Sequence, residues 1–217
     1  MKDLARRFLS EEEKKQIEAA VSQAEKKTSG EIVCLIQSAS YHYPMAQVLG
    51  GTAMALPAAL ALTPYIGGRL WLGTQNMWLF VSIFCLLFAI FYLLVKHTPP
   101  LKRWFISQRE IDEEVEEAAV TSFFRHGLYR TRDATGVLIF ISVFEHKVWV
   151  LADHGINAKV PEGQWDTIVA AIKDGIKAGQ PAQAICQAVE SAGRTLAEHF
   201  PVRPDDTDEL DNLILEG

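Results

Sequence analysis

The amino-acid sequence predicts an α/β fold in which a small mixed β-sheet lies between helices and a two-helix transmembrane hairpin interrupts the domain. Three observations lead to this prediction: two long stretches without charged residues, short apolar runs on either side of them, and amphipathic helical patterns around those runs. Of the 217 residues, 49% are apolar and 22% are charged, which excludes a disordered or collagen-like chain.

The first elements are a helix and a strand. Ser10 followed by Glu13 makes a capping box, and apolar residues then recur at helical spacing until Ser29 and Gly30 end the helix. The next run, EIVCLIQS at residues 31–38, is short, apolar and rich in β-branched residues, so it predicts a strand. Because a single strand is not stable alone, its partners must lie further along the chain.

A transmembrane hairpin is predicted for residues 42–96, with spans at about 45–66 and 77–95. The sequence has no Asp, Glu, Lys or Arg between Glu31 and Arg69, and again none from there to residue 96. As a helix, the second span is about 28 Å long, close to the ~30 Å thickness of a bilayer's hydrocarbon core. Glycine and proline interrupt the first span, which is tolerated where a partner helix packs alongside.

The orientation of the hairpin follows from its Lys and Arg residues. The connecting loop carries only Arg69, whereas the flanking segments carry Lys26, Lys27, Lys96, Lys102, Arg103 and Arg109. We therefore expect both termini and the soluble domain to face the cytoplasm, with the hairpin in the inner membrane. Three scattered cysteines and the absence of an N-terminal secretory signal agree with a reduced, intracellular setting.

Residues 1–41 and 97–201 are predicted to form one soluble domain. The second part contains an amphipathic helix, two apolar strands and two further helices, at residues 106–128, 136–144, 147–152, 161–178 and 181–200. A strand, a helical crossover and a second strand favour a right-handed parallel pair, and the third strand then returns antiparallel.

Residues 202–217 form an acidic tail that supplies five of the six net negative charges. We expect it to be solvated; the alternative is that this acidic stretch, with its apolar residues Leu213, Ile214 and Leu215, docks onto a basic partner or a protease adaptor. The rest of the chain is nearly neutral, so no broad basic face indicates nucleic-acid binding.

The predicted topology gathers carboxylates at the edge of the sheet that lies away from the membrane. Glu31 begins the first strand, Asp133 precedes the second, and Asp153 follows the third, with Arg132 nearby. Carboxylates suit a hard cation, so these three acids are candidate ligands for Ca²⁺ or Mg²⁺. The alternative is that each caps a turn or helix, or that Arg132 neutralises them. No nucleophile motif and no organic-cofactor motif is present, so catalytic residues stay unassigned.

Four stretches together resemble the TPM domain family: SGEIVCLI at 29–36, residues 118–128, TRDATGVLIFIS at 131–142 and VWVLADHGI at 148–156. The resemblance implies an α/β sandwich of a small mixed sheet between helices, often attached to a membrane and linked to assembly, repair or modulation of membrane complexes. It also implies divalent-metal binding or phosphatase activity, which are known for some relatives.

The leading functional prediction is a non-enzymatic, membrane-anchored accessory module. It would bind the lipid bilayer and a membrane protein complex and support the assembly or maintenance of that complex. The alternative is a divalent-metal-assisted phosphatase that acts on small phosphoesters through the edge containing Asp133 and Asp153. The sequence leaves the oligomeric state open.

Overall fold

The computed structural model describes residues 4–161, 163–202 and 210–216. The helices are α1 (Leu4–Phe8), α2 (Glu11–Glu25), α3 (Pro44–Arg69), α4 (Met77–His97), α5 (Pro99–Arg103), α6 (Gln108–Arg125), α7 (His154–Asn157), α8 (Gln164–Lys177) and α9 (Pro181–His199). The strands are β1 (Glu31–Gln37), β2 (Gly136–Ser142), β3 (Lys147–Ala152) and β4 (Leu213–Glu216). A short 3-10 helix spans Leu128–Arg130.

The chain divides into two compact units. Met1–Tyr41 with Asp112–Gly217 form one, here called the sheet unit, and His42–Ile111 form the other, here called the hairpin unit. The sheet unit is therefore built from segments on both sides of the hairpin.

A four-stranded mixed sheet with the order β3-β2-β1-β4 organises the sheet unit. β1 pairs with β2 in parallel, from Glu31 opposite Gly136 to Gln37 opposite Ser142. β3 returns antiparallel to β2. The predicted parallel pair and antiparallel return are both confirmed, and β1 is a central strand of the sheet.

Both faces of the sheet are buried. On one face, Ile32, Cys34 and Ile36 of β1 join a core cluster with residues of β2, α2, α8 and α9. Successive side chains of a strand point to opposite faces, so Val33 and Leu35 lie on the other face, where both are at most 1% exposed. Helix α6 supplies a matching buried stripe, Val115, Ala119 and Phe123. The prediction of a small mixed sheet between helices is confirmed.

Local signals explain most element boundaries. The capping box of α2 is formed: the Glu13 amide donates to Ser10 Oγ over 3.3 Å, and the Ser10 amide donates to Glu13 Oε2 over 2.7 Å. Helix α8 begins at Gln164 rather than at residue 161, because Gly163 before it has a left-handed φ of 80°. Strand β2 ends at Ser142 rather than at residue 144, where the chain turns towards β3.

In the hairpin unit, α3 and α4 are long and apolar enough to cross a membrane. Small residues recur at every fourth position on the buried side of α3: Gly51, Ala55, Ala59, Thr63 and Gly67. On α4, the rings of Phe80, Phe84, Phe88 and Tyr92 follow one another at the same spacing, with centroids 5.9 to 6.2 Å apart. A Cβ atom at Gly51 would lie 3.2 Å from the Phe88 ring, so the small residue permits close helix packing.

The outer surface of the hairpin is apolar. Only 6% of the most apolar stretch of α4 is buried, which is unlike the core helix of a soluble protein. Large side chains such as Leu86, Ile90 and Leu93 are more than half exposed. Exposed Trp71 and Trp78 lie near the turn between the helices, where interfacial aromatic residues are expected.

The end of the chain differs from the sequence expectation. Leu213–Glu216 form β4 and pair in parallel with β1, so these residues are not a solvated tail. Residues 203–209 lie outside the described residues.

Candidate functional site

Two of the predicted acidic residues flank Gly136 at one edge of the sheet. Glu31 is opposite Gly136 in the β1–β2 register, and its amide donates to Thr135 O over 3.1 Å. On the other side, the Asp153 amide donates to Gly136 O over 2.9 Å. Glu31 is 7% exposed. The backbone thus brings the segments of Glu31 and Asp153 to the same edge.

The turn before β2 brings Asp133 to this edge as well. Thr131 Oγ1 accepts the Thr135 amide over 2.9 Å, and Ala134 takes a left-handed φ of 54°. Gly155 packs directly on this turn: a Cβ atom there would lie 2.6 Å from the carbonyl oxygens of both Asp133 and Ala134. Glycine is required because a side chain would collide with backbone atoms that cannot move aside.

Asp153 has two oxygens with different surroundings. Oδ1 accepts the His154 amide over 2.6 Å and lies 3.0 Å from His154 Nδ1, so it caps α7. Oδ2 is buried and makes no hydrogen bond. Burying a carboxylate oxygen without a donor is unfavourable, so this atom is suited to accept a hydrogen bond or a cation.

The three predicted ligands share an edge without forming a three-residue ligand cluster. Across residues 4–161, 163–202 and 210–216, no group of three or more His, Cys, Asp or Glu side chains is arranged to hold a metal ion. The Asp133 side chain is exposed, as is that of His154.

Sequence reasoning did not identify a second polar cluster, at the opposite edge of the sheet. Glu145, in the turn between β2 and β3, is fully buried. Its Oε1 accepts the Ser40 amide over 3.0 Å, and its Oε2 accepts the Ser142 hydroxyl. Ser40 Oγ and Ser142 Oγ lie 3.1 Å apart. This network ties the segment after β1 to the β2–β3 turn, and the only sequence signal is an acid between two apolar strands.

A cavity of about 550 Å³ lies between α2 and α9. Its lining combines small residues such as Ala20 and Gly193 with the polar side chains Gln23, Glu190 and Arg194. It contains the half-buried Cys186, and burial raises the pKa of that thiol. Burial also raises the pKa of the Cys34 thiol in β1. Both thiols are therefore poor nucleophiles at neutral pH.

Together, these features define an α/β protein whose mixed sheet is assembled from chain segments that precede and follow an apolar helical hairpin in the sequence. Residues 102–195 match the family model of the TPM domain, so the resemblance to this family that the sequence predicts is confirmed. The NMR structure of the BA42 protein from the psychrophilic bacterium Bizionia argentinensis is similar to this chain, with 26% sequence identity and a TM-score of 0.59. The similarity covers 97% of this chain and 96% of BA42. No curated protein matches the sequence.

Proposed function

We propose that this protein is a membrane-anchored, non-enzymatic accessory module whose TPM domain binds a membrane protein complex and supports its assembly or maintenance. The observation that carries the proposal is the outer surface of α4, which is apolar and only 6% buried along its most apolar stretch, within a chain that also matches the TPM domain family. Such a surface is stable in lipid and would aggregate in water.

The same proposal assigns the hairpin to the inner membrane, with both termini and the sheet unit in the cytoplasm. The support is the distribution of Lys and Arg, with one Arg in the loop and six basic residues in the flanks. A reporter that fluoresces only in the cytoplasm, fused to the C-terminus, is expected to be bright. A reporter that is active only after export, fused at the same position, is expected to show no activity. The reverse pattern would contradict this orientation.

The accessory role is tested by recovering the tagged full chain from membranes in mild detergent after brief crosslinking. We expect a membrane protein to co-purify in near-stoichiometric amount. Its co-purification should require the sheet unit. The substitution Asp174→Asn, at an exposed acid on α8, is a matched control and should leave recovery unchanged. Recovery of the chain without any stoichiometric partner would contradict the role.

The second candidate is a divalent-metal-assisted phosphatase, and the specific observation in its favour is the buried Asp153 Oδ2 without a hydrogen bond. Ca²⁺ or Mg²⁺ held near Glu31, Asp133 and Asp153 would supply positive charge and an activated water for phosphoester hydrolysis. The assay is turnover of p-nitrophenyl phosphate by the detergent-solubilised chain with and without Mg²⁺. Turnover that needs Mg²⁺ and is lost in Asp153→Asn, while Asp174→Asn retains it, would favour the enzyme over the accessory module.

Metal binding itself has a separate readout. Calorimetric titration of the full chain with Ca²⁺ or Mg²⁺ should give heat that Asp153→Asn abolishes if the edge binds a cation. A titration without heat, together with unchanged thermal stability on adding the ion, would contradict metal binding at this edge. It would also contradict the metal-assisted phosphatase.

A further inference from the structure

The C-terminal strand β4 fills the outer edge of the central strand β1. The register runs from Cys34 opposite Leu213 to Gln37 opposite Glu216. Two amides donate to the β4 segment: Cys34 N of β1 donates to Asn212 O over 3.0 Å, and Ser38 N, directly after β1, donates to Glu216 O over 2.9 Å. Without β4, these donors would lack their strand partner.

The side chains of β4 alternate between two chemically different environments. Leu213 and Leu215 pack against the core cluster, on the face that carries Cys34 and Ile36. On the other face, Glu216 reaches the end of α6, where Arg125 lies 3.0 Å and His126 3.1 Å from its carboxylate oxygens. The edge therefore holds a short extended segment with apolar side chains at alternate positions and a carboxylate at residue 216.

Strand β4 is shorter and more exposed than the strand next to it. The strand has only four residues, and each is partly exposed, whereas β1 and β2 are almost fully buried. A short, partly exposed strand at the edge of a sheet belongs to the part of a structure that opens locally before global unfolding.

We propose that the outer edge of β1 is a binding site for an extended peptide segment of a partner protein, and that residues 213–216 are the chain's own occupant of that site. The partner segment lies parallel to β1, places apolar side chains at the positions of Leu213 and Leu215, and presents a carboxylate to Arg125 and His126. This proposal adds a binding site to the proposed accessory role. It rests on that role in one respect, namely that the partner is a protein. The binding edge itself follows from β4.

The test uses a fluorescent peptide of residues 210–216 (LDNLILE) and the full chain in detergent, followed by fluorescence anisotropy. The substitution Leu215→Asp in the chain should release β4 and raise the chain's affinity for the peptide by about tenfold or more over the unsubstituted chain, whose edge is occupied. Asp211→Asn, at an exposed position before β4, is the matched control and should behave as the unsubstituted chain does. A peptide with Asp at positions 213 and 215 should not bind.

Absence of peptide binding to a Leu215→Asp chain that keeps its thermal transition would overturn the proposal. If that variant does not fold, amide hydrogen exchange of the unsubstituted chain tests whether β4 leaves the edge. The amides of Cys34 and Ser38 should then exchange about tenfold or more faster than the Glu31 amide, which donates towards β2. Equal exchange of all three through global unfolding would refute a displaceable strand. A stoichiometric partner recovered with unchanged yield from the Leu215→Asp chain would overturn the edge as its binding site and leave the accessory role standing.

Discussion

A double substitution across the β1–β2 pair tests whether segments on both sides of the hairpin form one folded unit. Leu35 and Phe140 are register partners on neighbouring strands, and both are fully buried. Leu35→Ala should cost about 2–5 kcal/mol of unfolding free energy through lost burial and a residual cavity. Phe140→Leu, a smaller change in volume, should cost about 1 kcal/mol.

Because each side chain lines the space that the other leaves, the two costs should not add. We expect a coupling free energy of at least about 0.5 kcal/mol in the double variant. The assay is urea unfolding of the full chain in detergent, followed by tryptophan fluorescence, since Trp149 and Trp165 lie in the sheet unit. Costs that add to within about 0.3 kcal/mol, or separate transitions for the two segments, would refute the shared sheet.

Three further outcomes follow from the described geometry. Glu145→Ala should lower the unfolding free energy by about 2–4 kcal/mol in the same urea assay, because the part-buried Ser40 amide and the buried Ser142 hydroxyl lose their acceptor. Gly155→Ala should cost at least about 1–3 kcal/mol by thermal unfolding, because the new Cβ meets two carbonyl oxygens at 2.6 Å. Burial raises the pKa of the Cys34 thiol, so unfolding releases its proton above the pKa of a free thiol, and stability should fall from about pH 8.5 upwards.

A different result would contradict each of these three predictions. Glu145→Ala with unchanged stability would show that the cluster does not tie β1 to the β2–β3 turn. Gly155→Ala with an unchanged melting temperature would mean that the backbone of the turn before β2 accommodates the added Cβ atom without loss of stability. Cys34→Ala should reduce the fall of the unfolding free energy with pH between about pH 8.5 and pH 10. An unchanged dependence on pH would show that other groups cause the fall.

The sequence predicted the elements whose signals are local. The Ser10–Glu13 capping box and the apolar runs at residues 31–38 and 136–144 led to α2, β1 and β2, and the topology rules then gave the strand directions. The carboxylate edge could be predicted for the same reason, since strand ends alone place Glu31 beside Gly136 and Asp153.

The features that sequence reasoning missed depend on distant contacts. Strand β4 has four residues within a strongly acidic stretch. Its pairing with β1, the packing of Leu213 and Leu215 against the core and the ion pairs of Glu216 explain why these residues form a strand. Likewise, Glu145 has the sequence signature of an exposed turn residue. It is buried because Ser40 and Ser142, far apart in the chain, supply its donors.

The position of β1 in the middle of the sheet has a consequence for biogenesis. The ribosome makes this strand before either neighbour, since β2 and β4 are both translated only after the two apolar helices of the hairpin. An apolar strand prone to aggregation is therefore without its strand partners while synthesis continues. We expect the nascent chain to depend on protection of this strand during that interval.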